Sequence, residues 1–206
     1  MKNFALRLLV VVITLSLGIG LTVYLKHRAH EKRCTGSSYF PAGVFGENTR
    51  QAEWLSKVYL AQGEPTFSCL DENVEAYRLL YLPAFESPTS IRIWRDHDKY
   101  WMTIKQLPDY SLPGDGSKGL KLSTTRPLSV DEWAHFKNLI NGANFWSIPS
   151  PDVREHGLDG FSFTLEGKRG NEYHVVYRWV PEDEAFVEMC EYLVKISNLT
   201  WRQGAE

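Results

Sequence analysis

The sequence of 206 residues has little charge imbalance, few cysteines and no internal repeat. The formal net charge of -2 disfavours a general nucleic-acid binder, because that function usually needs a basic surface. Three cysteines are too few for a miniprotein built on disulfides, and the absence of a second copy of any segment excludes a solenoid. Aromatic residues, in contrast, make up 13% of the chain. This fraction favours an ordered globular domain, since such a chain can bury enough apolar surface to fold.

Charged residues are absent from the eighteen consecutive positions between Leu8 and Leu25. A helix of that length is about 27 Å long, close to the hydrocarbon thickness of a bilayer. The alternative is a cleaved signal peptide, which usually has a shorter apolar core and a small-residue cleavage site. No such site follows Tyr24. We therefore predict an uncleaved anchor within residues 1–26, with the lipid bilayer contacting residues 8–25.

The orientation of this anchor depends on two opposing signals. Lysine and arginine are more numerous after the apolar run than before it, which alone would place the C-terminal side in the cytoplasm. The short basic leader containing Lys2 and Arg7 is instead typical of a bacterial signal anchor that exports the following domain. We favour export, and hence a single-pass inner-membrane protein with a periplasmic domain. Because residues 1–26 contain three basic and no acidic side chains, the remaining 180 residues have a formal charge of -5.

The residues after the anchor divide into a linker and one folded domain. Residues 27–47 are charged and then rich in glycine, serine and proline, which predicts a juxtamembrane linker. Residues 48–206 show helical periodicity from about 49 to 62, from the Ser129 capping box onward, and from about 182 to 197. Short alternating runs between the helices predict two hairpins and five or six strands. This order indicates an α+β fold in which about three helices pack on an antiparallel sheet.

Polar residues that are candidates for ligand binding lie mainly in the second half of the domain. The set comprises Arg78, Arg92, His156, Asp159, Glu166, His174 and Arg178. We expect Glu166 and His174 to approach each other across the second hairpin, which spans about residues 161–179. The simplest interpretation is structural, with glycine turns and hydrogen bonds on the sheet.

Two chemical interpretations of the same region remain alternatives. A zinc site would use His156, Asp159 and His174, but their spacing matches no recognised ligand motif. A hydrolase would use Ser162 as nucleophile with Asp159 and His174, but Ser162 lacks the sharp turn that presents such a serine. We expect Ser162 to face solvent from its strand. We therefore assign no catalytic residue, metal or cofactor.

The cysteines allow one disulfide to be tested. If the domain is exported, Cys69 and Cys190 are the pair that we would test for a bridge. The alternative is that Cys190 is a small apolar residue of the core, because it lies on the inner face of the last predicted helix.

Several motifs together carry a family resemblance. They are Glu75-Ala76-Tyr77-Arg78, the run Phe85 to Arg92, Trp133, Phe145-Trp146, Gly157 to Gly160, Glu166-Gly167 and the run Tyr173 to Trp179. The chain resembles a family of small uncharacterised Gram-negative bacterial proteins that are membrane-anchored or exported and have no known activity. The resemblance covers roughly residues 69–199 and implies a bacterial context without implying catalytic residues.

These observations lead to one expected function and two alternatives. We expect a membrane-anchored binding or interaction module of the bacterial envelope, with an envelope protein as partner and no nucleic acid. The first alternative is a hydrolase-type enzyme that uses Asp159, Glu166 and His174. The second is an immunity or inhibitor protein.

Overall fold

The computed structural model describes residues 39–108, 119–151 and 160–199 and shows an α+β domain. The predicted fold class is therefore confirmed for the domain. The helices are α1 (Thr49–Ala61), α2 (Val130–Gly142) and α3 (Glu184–Ile196). The strands are β1 (Glu75–Pro83), β2 (Thr89–Asp96), β3 (Lys99–Gln106), β4 (Leu122–Leu128), β5 (Phe161–Arg169) and β6 (Glu172–Trp179).

No helix in these ranges is long and apolar enough to span a bilayer. The predicted anchor at residues 8–25 lies outside the described residues, as does most of the predicted linker.

All six strands form one antiparallel sheet in the order β4-β3-β2-β1-β5-β6. The two predicted hairpins are present as β2–β3 and β5–β6. Strand β1 occupies the centre because its sequence EAYRLLYLP is buried along almost its entire length. A strand buried on both faces needs neighbours on both sides, and β2 and β5 provide them.

One face of the sheet packs against α2 and α3. Tyr77, Leu79 and Tyr81 of β1 point to this face, which contains the larger apolar cluster. Helix α2 contributes Trp133, Phe136 and Ile140, and α3 contributes Phe186, Met189, Cys190, Leu193 and Val194. The Ser129 capping box predicted from the sequence starts α2. Residues three and four apart on each helix therefore form the inner layer.

The opposite face of the sheet is covered by α1 over β1 and β6. Leu80 of β1 and Val175 of β6 pack with Leu55, Val58 and Tyr59 of the helix in a second, smaller cluster. Helix α1 begins at the N-cap Asn48, whose side chain accepts a hydrogen bond from the Gln51 amide.

Cys69 and Cys190, the pair that we would test for a bridge, do not form one. Cys69 is disulfide-bonded, whereas Cys190 is a free thiol buried in α3. Burial raises the pKa of the Cys190 thiol well above its usual value. The alternative interpretation of Cys190 as a core residue is therefore the correct one.

Candidate ligand-binding surface

The strand register separates the predicted candidate residues into two groups. Arg78 of β1 lies directly between Arg92 of β2 and Glu166 of β5. Directly paired residues of adjacent antiparallel strands point to the same face, so these three side chains share the face that α1 packs on. His174 of β6 pairs instead with Gly167 and points to the other face.

The expected approach of Glu166 and His174 is therefore wrong. Glu166 pairs with Val175, and a shift of one residue along a strand moves a side chain to the opposite face. Any site that needs both the carboxylate and the imidazole on one surface is excluded by this register.

Arg78 forms the centre of a buried ionic cluster. Its side chain is fully buried and its guanidinium lies 3.7 Å from the ring centroid of Tyr59 and 4.3 Å from that of Phe67. Its Nε and Nη2 donate to Glu166 Oε2 at 2.9 and 2.6 Å. Nη1 donates to the carbonyl of Pro65 at 2.8 Å. Aromatic rings above the guanidinium plane and acceptors around its edge replace the water that a buried arginine has lost.

Glu64 connects this buried arginine to two cations nearer the surface. Its Oε2 accepts from Arg78 Nη1 at 3.3 Å and from Arg92 Nε at 2.9 Å, and Lys105 Nζ lies 3.0 Å from its Oε1. We call Glu64, Arg78, Arg92, Lys105 and Glu166 the Glu64 cluster. Arg78 and Arg92 are direct neighbours across β1 and β2, and the Glu64 carboxylate between them offsets their repulsion.

The ionisation of Glu64 follows from this arrangement. Burial alone would raise its pKa, but Arg78, Arg92 and Lys105 together bring the pKa below its usual value. The pKa of Arg78 is raised: burial opposes its charge, but Glu166 and the other neighbours outweigh that effect. Burial raises the pKa of Tyr173, whose hydroxyl donates to Glu166 Oε1 at 2.9 Å. These pKa shifts favour the charged forms of Glu64 and Arg78 and the neutral form of Tyr173.

The backbone conformation of Gly63 positions Glu64 next to the sheet. Gly63 adopts a φ of +60°, a left-handed conformation that glycine accepts without a steric penalty. This conformation closes the end of α1, because the amides of Gly63 and Glu64 donate to the carbonyls of Leu60 and Tyr59. The chain then turns so that Glu64 enters the space beside α1.

A pair of tryptophans continues this face beyond the Glu64 cluster. Trp94 of β2 and Trp101 of β3 are direct cross-strand partners, and their rings are nearly parallel with centroids 6.5 Å apart. Both side chains are half-buried, and neither belongs to either apolar cluster. The exposed Thr125 and Pro127 of β4 lie beyond them on the same face. We call Arg92, Trp94, Trp101, Thr125 and Pro127 the tryptophan face.

Arg92 belongs to both the Glu64 cluster and the tryptophan face. Its guanidinium carbon lies 4.3 Å from the Trp94 ring centroid, while its Nε is held by Glu64. The Arg92 side chain retains 17% exposure. This residue therefore brings positive charge from the buried cluster to the accessible edge of the aromatic pair.

His174 and Arg178 fasten a loop on the other face. The His174 Nε2 lies 2.8 Å from the carbonyl of Ile148, so this nitrogen is the donor, and burial lowers the pKa of the imidazole. Arg178 donates to the carbonyls of Pro149, Ser150 and Pro151 at 2.9 to 3.4 Å. The structural interpretation of these two residues is thus the one that the geometry supports.

The remaining predicted residues do not complete a catalytic or metal site. His156 and Asp159 lie outside the described residues. Ser162 is 1% exposed in β5, so the expectation that it faces solvent is wrong. Among the residues described, no group of three or more His, Cys, Asp and Glu side chains is placed to hold a metal ion.

The candidate residues predicted from the sequence do not include Glu64, Lys105, Trp94 and Trp101, which the structure adds to this surface. One signal was available for the tryptophans, because both lie in the predicted hairpin at positions equidistant from its turn. No comparable signal marks Glu64, which reaches the sheet only through the turn at Gly63.

No protein-family model and no curated protein matches the chain.

Proposed function

We propose that this protein is a membrane-anchored binding module of the bacterial envelope that contacts a partner protein through the tryptophan face. The supporting observation is the half-buried pair Trp94 and Trp101 with Arg92 stacked beside it, outside both apolar clusters. Tryptophan and arginine are the residues most enriched among those that contribute the binding energy of protein interfaces. A solvent-accessible pair of tryptophans has no comparable role in stabilising a domain core.

Two observations support the envelope part of this proposal. The uncharged run at residues 8–25 is long enough to anchor the chain in a bilayer. Cys69 is disulfide-bonded, and disulfides persist mainly in oxidising compartments such as the periplasm.

The hydrolase alternative loses its main support. Its proposed carboxylate Glu166 is engaged by Arg78 and Tyr173, and its proposed base His174 lies on the opposite face of the sheet. A general base must lie within hydrogen-bond reach of the group it activates, and these two residues cannot cooperate on one substrate. An immunity or inhibitor protein would also bind a partner protein. Identifying that partner would therefore distinguish this alternative from the proposed function.

Site-specific photo-crosslinking in cells that naturally make the protein tests the contact surface. The probe replaces Thr125, which is exposed beside the tryptophan pair. The control probe replaces Val130, which is 64% exposed at the start of α2 on the other side of the sheet. We expect a protein adduct from position 125 and none from position 130. No adduct at 125, or the same adduct from both positions, would overturn the proposal.

Fusions of alkaline phosphatase and of a fluorescent protein at residue 206 test the orientation. Export predicts active phosphatase and no fluorescence. Bright cytoplasmic fluorescence without phosphatase activity would place the domain in the cytoplasm.

A further inference from the structure

The terminal nitrogens of Arg92 make no hydrogen bond to any residue that the structure describes. Within the described part of the chain, Arg92 donates only through Nε, to Glu64. Arg169 offers a direct comparison, because it also stacks on a tryptophan, with its guanidinium carbon 4.8 Å from the Trp146 ring centroid. Its Nε and Nη2 both donate to Glu172, at 3.1 and 2.7 Å. Arg92 thus has the stacked geometry of Arg169, but no carboxylate of residues 39–108, 119–151 or 160–199 is hydrogen-bonded to its terminal nitrogens.

The charges of the Glu64 cluster leave one positive charge without a matching negative one. Three cations, Arg78, Arg92 and Lys105, share two carboxylates. Glu166 is engaged by Arg78 alone among these cations, so Glu64 serves all three. Because Arg78 is fully buried, the surplus positive charge of the cluster is accessible only at Arg92 and Lys105, whose side chains are 17% and 14% exposed.

The Arg92 guanidinium is also held in place before any ligand arrives. Glu64 fixes its Nε edge and the Trp94 ring covers one face of its plane. A planar guanidinium fixed in this way binds a carboxylate with two parallel hydrogen bonds and loses little conformational freedom on doing so.

We infer that Arg92 is an oxyanion-binding residue that receives a carboxylate from an acidic segment of the partner protein, with neighbouring apolar groups of that segment packed on Trp94 and Trp101. This inference rests on the proposed function, because it assigns chemistry to the partner at the same surface. The residues after position 26 have a net negative charge, so most of the domain repels an acidic partner segment. The local positive charge at Arg92 and Lys105 would attract such a segment and thereby fix where it binds.

The crosslinking experiment described above tests the inference when it is repeated in Arg92→Gln and in the matched control Arg169→Gln. We expect the adduct from position 125 to fall at least tenfold in Arg92→Gln and to be unchanged in Arg169→Gln. The crosslinked partner peptide, sequenced by mass spectrometry, should carry Asp or Glu within two residues of the attachment point. An adduct that persists in Arg92→Gln, or a partner peptide without an acidic residue, would overturn the inference while leaving the proposed function in place. If the protein that carries the probe at position 125 and no arginine substitution gives no adduct, both the proposed function and this inference are overturned.

Titration with small anions provides a second test that needs no partner. The full-length protein in non-ionic detergent, labelled with ¹⁵N at the tryptophan indoles, is titrated separately with acetate, inorganic phosphate and neutral acetamide. We expect acetate to shift the Trp94 indole signal saturably, acetamide to have no effect, and Arg92→Gln to weaken acetate binding by about tenfold, which corresponds to about 1.4 kcal/mol. Arg169→Gln should leave the acetate response of Trp94 unchanged.

Two results of the titration would refute the carboxylate assignment. The first is an acetate response that survives Arg92→Gln or never saturates. The second is phosphate binding at least tenfold tighter than acetate, which would identify a phosphorylated ligand in place of an acidic segment.

Discussion

Replacing Glu166 with glutamine removes the charge that Arg78 depends on most. Arg78 is fully buried and makes two of its hydrogen bonds to Glu166 Oε2, at 2.9 and 2.6 Å. Its contact with Glu64 is longer, at 3.3 Å, and that carboxylate also serves Arg92 and Lys105. In the Glu166→Gln variant, three cations would share a single carboxylate.

The expected cost follows from these contacts. A hydrogen bond to a charged group contributes about 1.5–3 kcal/mol, and breaking a buried ion pair by removing one partner costs about 3–5 kcal/mol. The glutamine oxygen can still accept one hydrogen bond from Arg78, which favours the lower end of this range, about 3 kcal/mol. For a domain of this size, that loss lowers the melting temperature by roughly 6–12 °C.

The matched control is Glu172→Gln on the same hairpin. Glu172 also pairs with an arginine, Arg169, at 2.7 Å, but its side chain is 61% exposed. An exposed pair of this kind contributes no more than about 1 kcal/mol. Glu166 of β5 and Glu172 of β6 belong to one hairpin and each pairs with an arginine, so the comparison keeps the residue type and the partner type and changes burial.

Urea and thermal unfolding of the full-length protein in non-ionic detergent measure both variants by tryptophan fluorescence. All seven tryptophans follow the predicted anchor in the sequence, so the signal reports on the domain. A loss in Glu166→Gln no larger than that in Glu172→Gln would refute the view that Arg78 requires two carboxylates.

Three further predictions concern packing and pH. Gly167→Ala should destabilise the fold by about 1–3 kcal/mol in urea unfolding, because the added carbon would lie 2.8 Å from the Phe145 ring, whereas Gly142→Ala at the open end of α2 should be neutral or stabilising. Equal effects would contradict this packing argument. The pKa of Glu64 is lower in the folded protein than in the unfolded chain. As the pH drops below 4.5, the Glu64 carboxylate therefore becomes protonated in the unfolded chain before it does in the folded protein, and the free energy of unfolding falls. Glu64→Gln should reduce that acid sensitivity, and an unchanged slope of unfolding free energy against pH would count against it. In ¹⁵N NMR, the pKa of the His174 imidazole should lie below its usual value of 6.5, and the neutral ring should carry its hydrogen on Nε2. Stability should then be lost as the pH falls from 6.5 through the pKa of the folded protein. A titration midpoint above 6.5 would be inconsistent with burial of the ring.

Local patterns in the sequence predicted the elements of the fold well. The expected first helix at about 49–62 is observed at Thr49–Ala61, and the last, expected at about 182–197, spans Glu184–Ile196. The Ser129 capping box starts α2 as predicted. These features depend on neighbouring residues along the chain, so a single sequence contains most of the information.

The candidate site was harder to predict because it depends on strand order and register. The insertion of β1 between β2 and β5 places Arg78 between Arg92 and Glu166 over large sequence separations. Alternation along each strand identifies two faces but does not say which face of one strand matches which face of the next. Because Glu166 pairs with Val175, the side chains of Glu166 and His174 point to opposite faces of the sheet, contrary to the predicted approach.

The two edge strands of the sheet, β4 and β6, differ in whether their outer backbone groups are hydrogen-bonded to another part of the described chain. Along β6, the loop that His174 and Arg178 fasten is close enough for the Tyr177 amide to donate to the Ser150 carbonyl at 2.9 Å. In the described ranges, β4 pairs only with β3. A sheet that can be extended from one side alone can join with a second copy into a closed two-fold pair, but it cannot add further copies in a row. The segment at residues 148–151 thus occupies a hydrogen-bonding position on the β6 edge, and we expect a variant that detaches this segment to expose a second edge to strand addition.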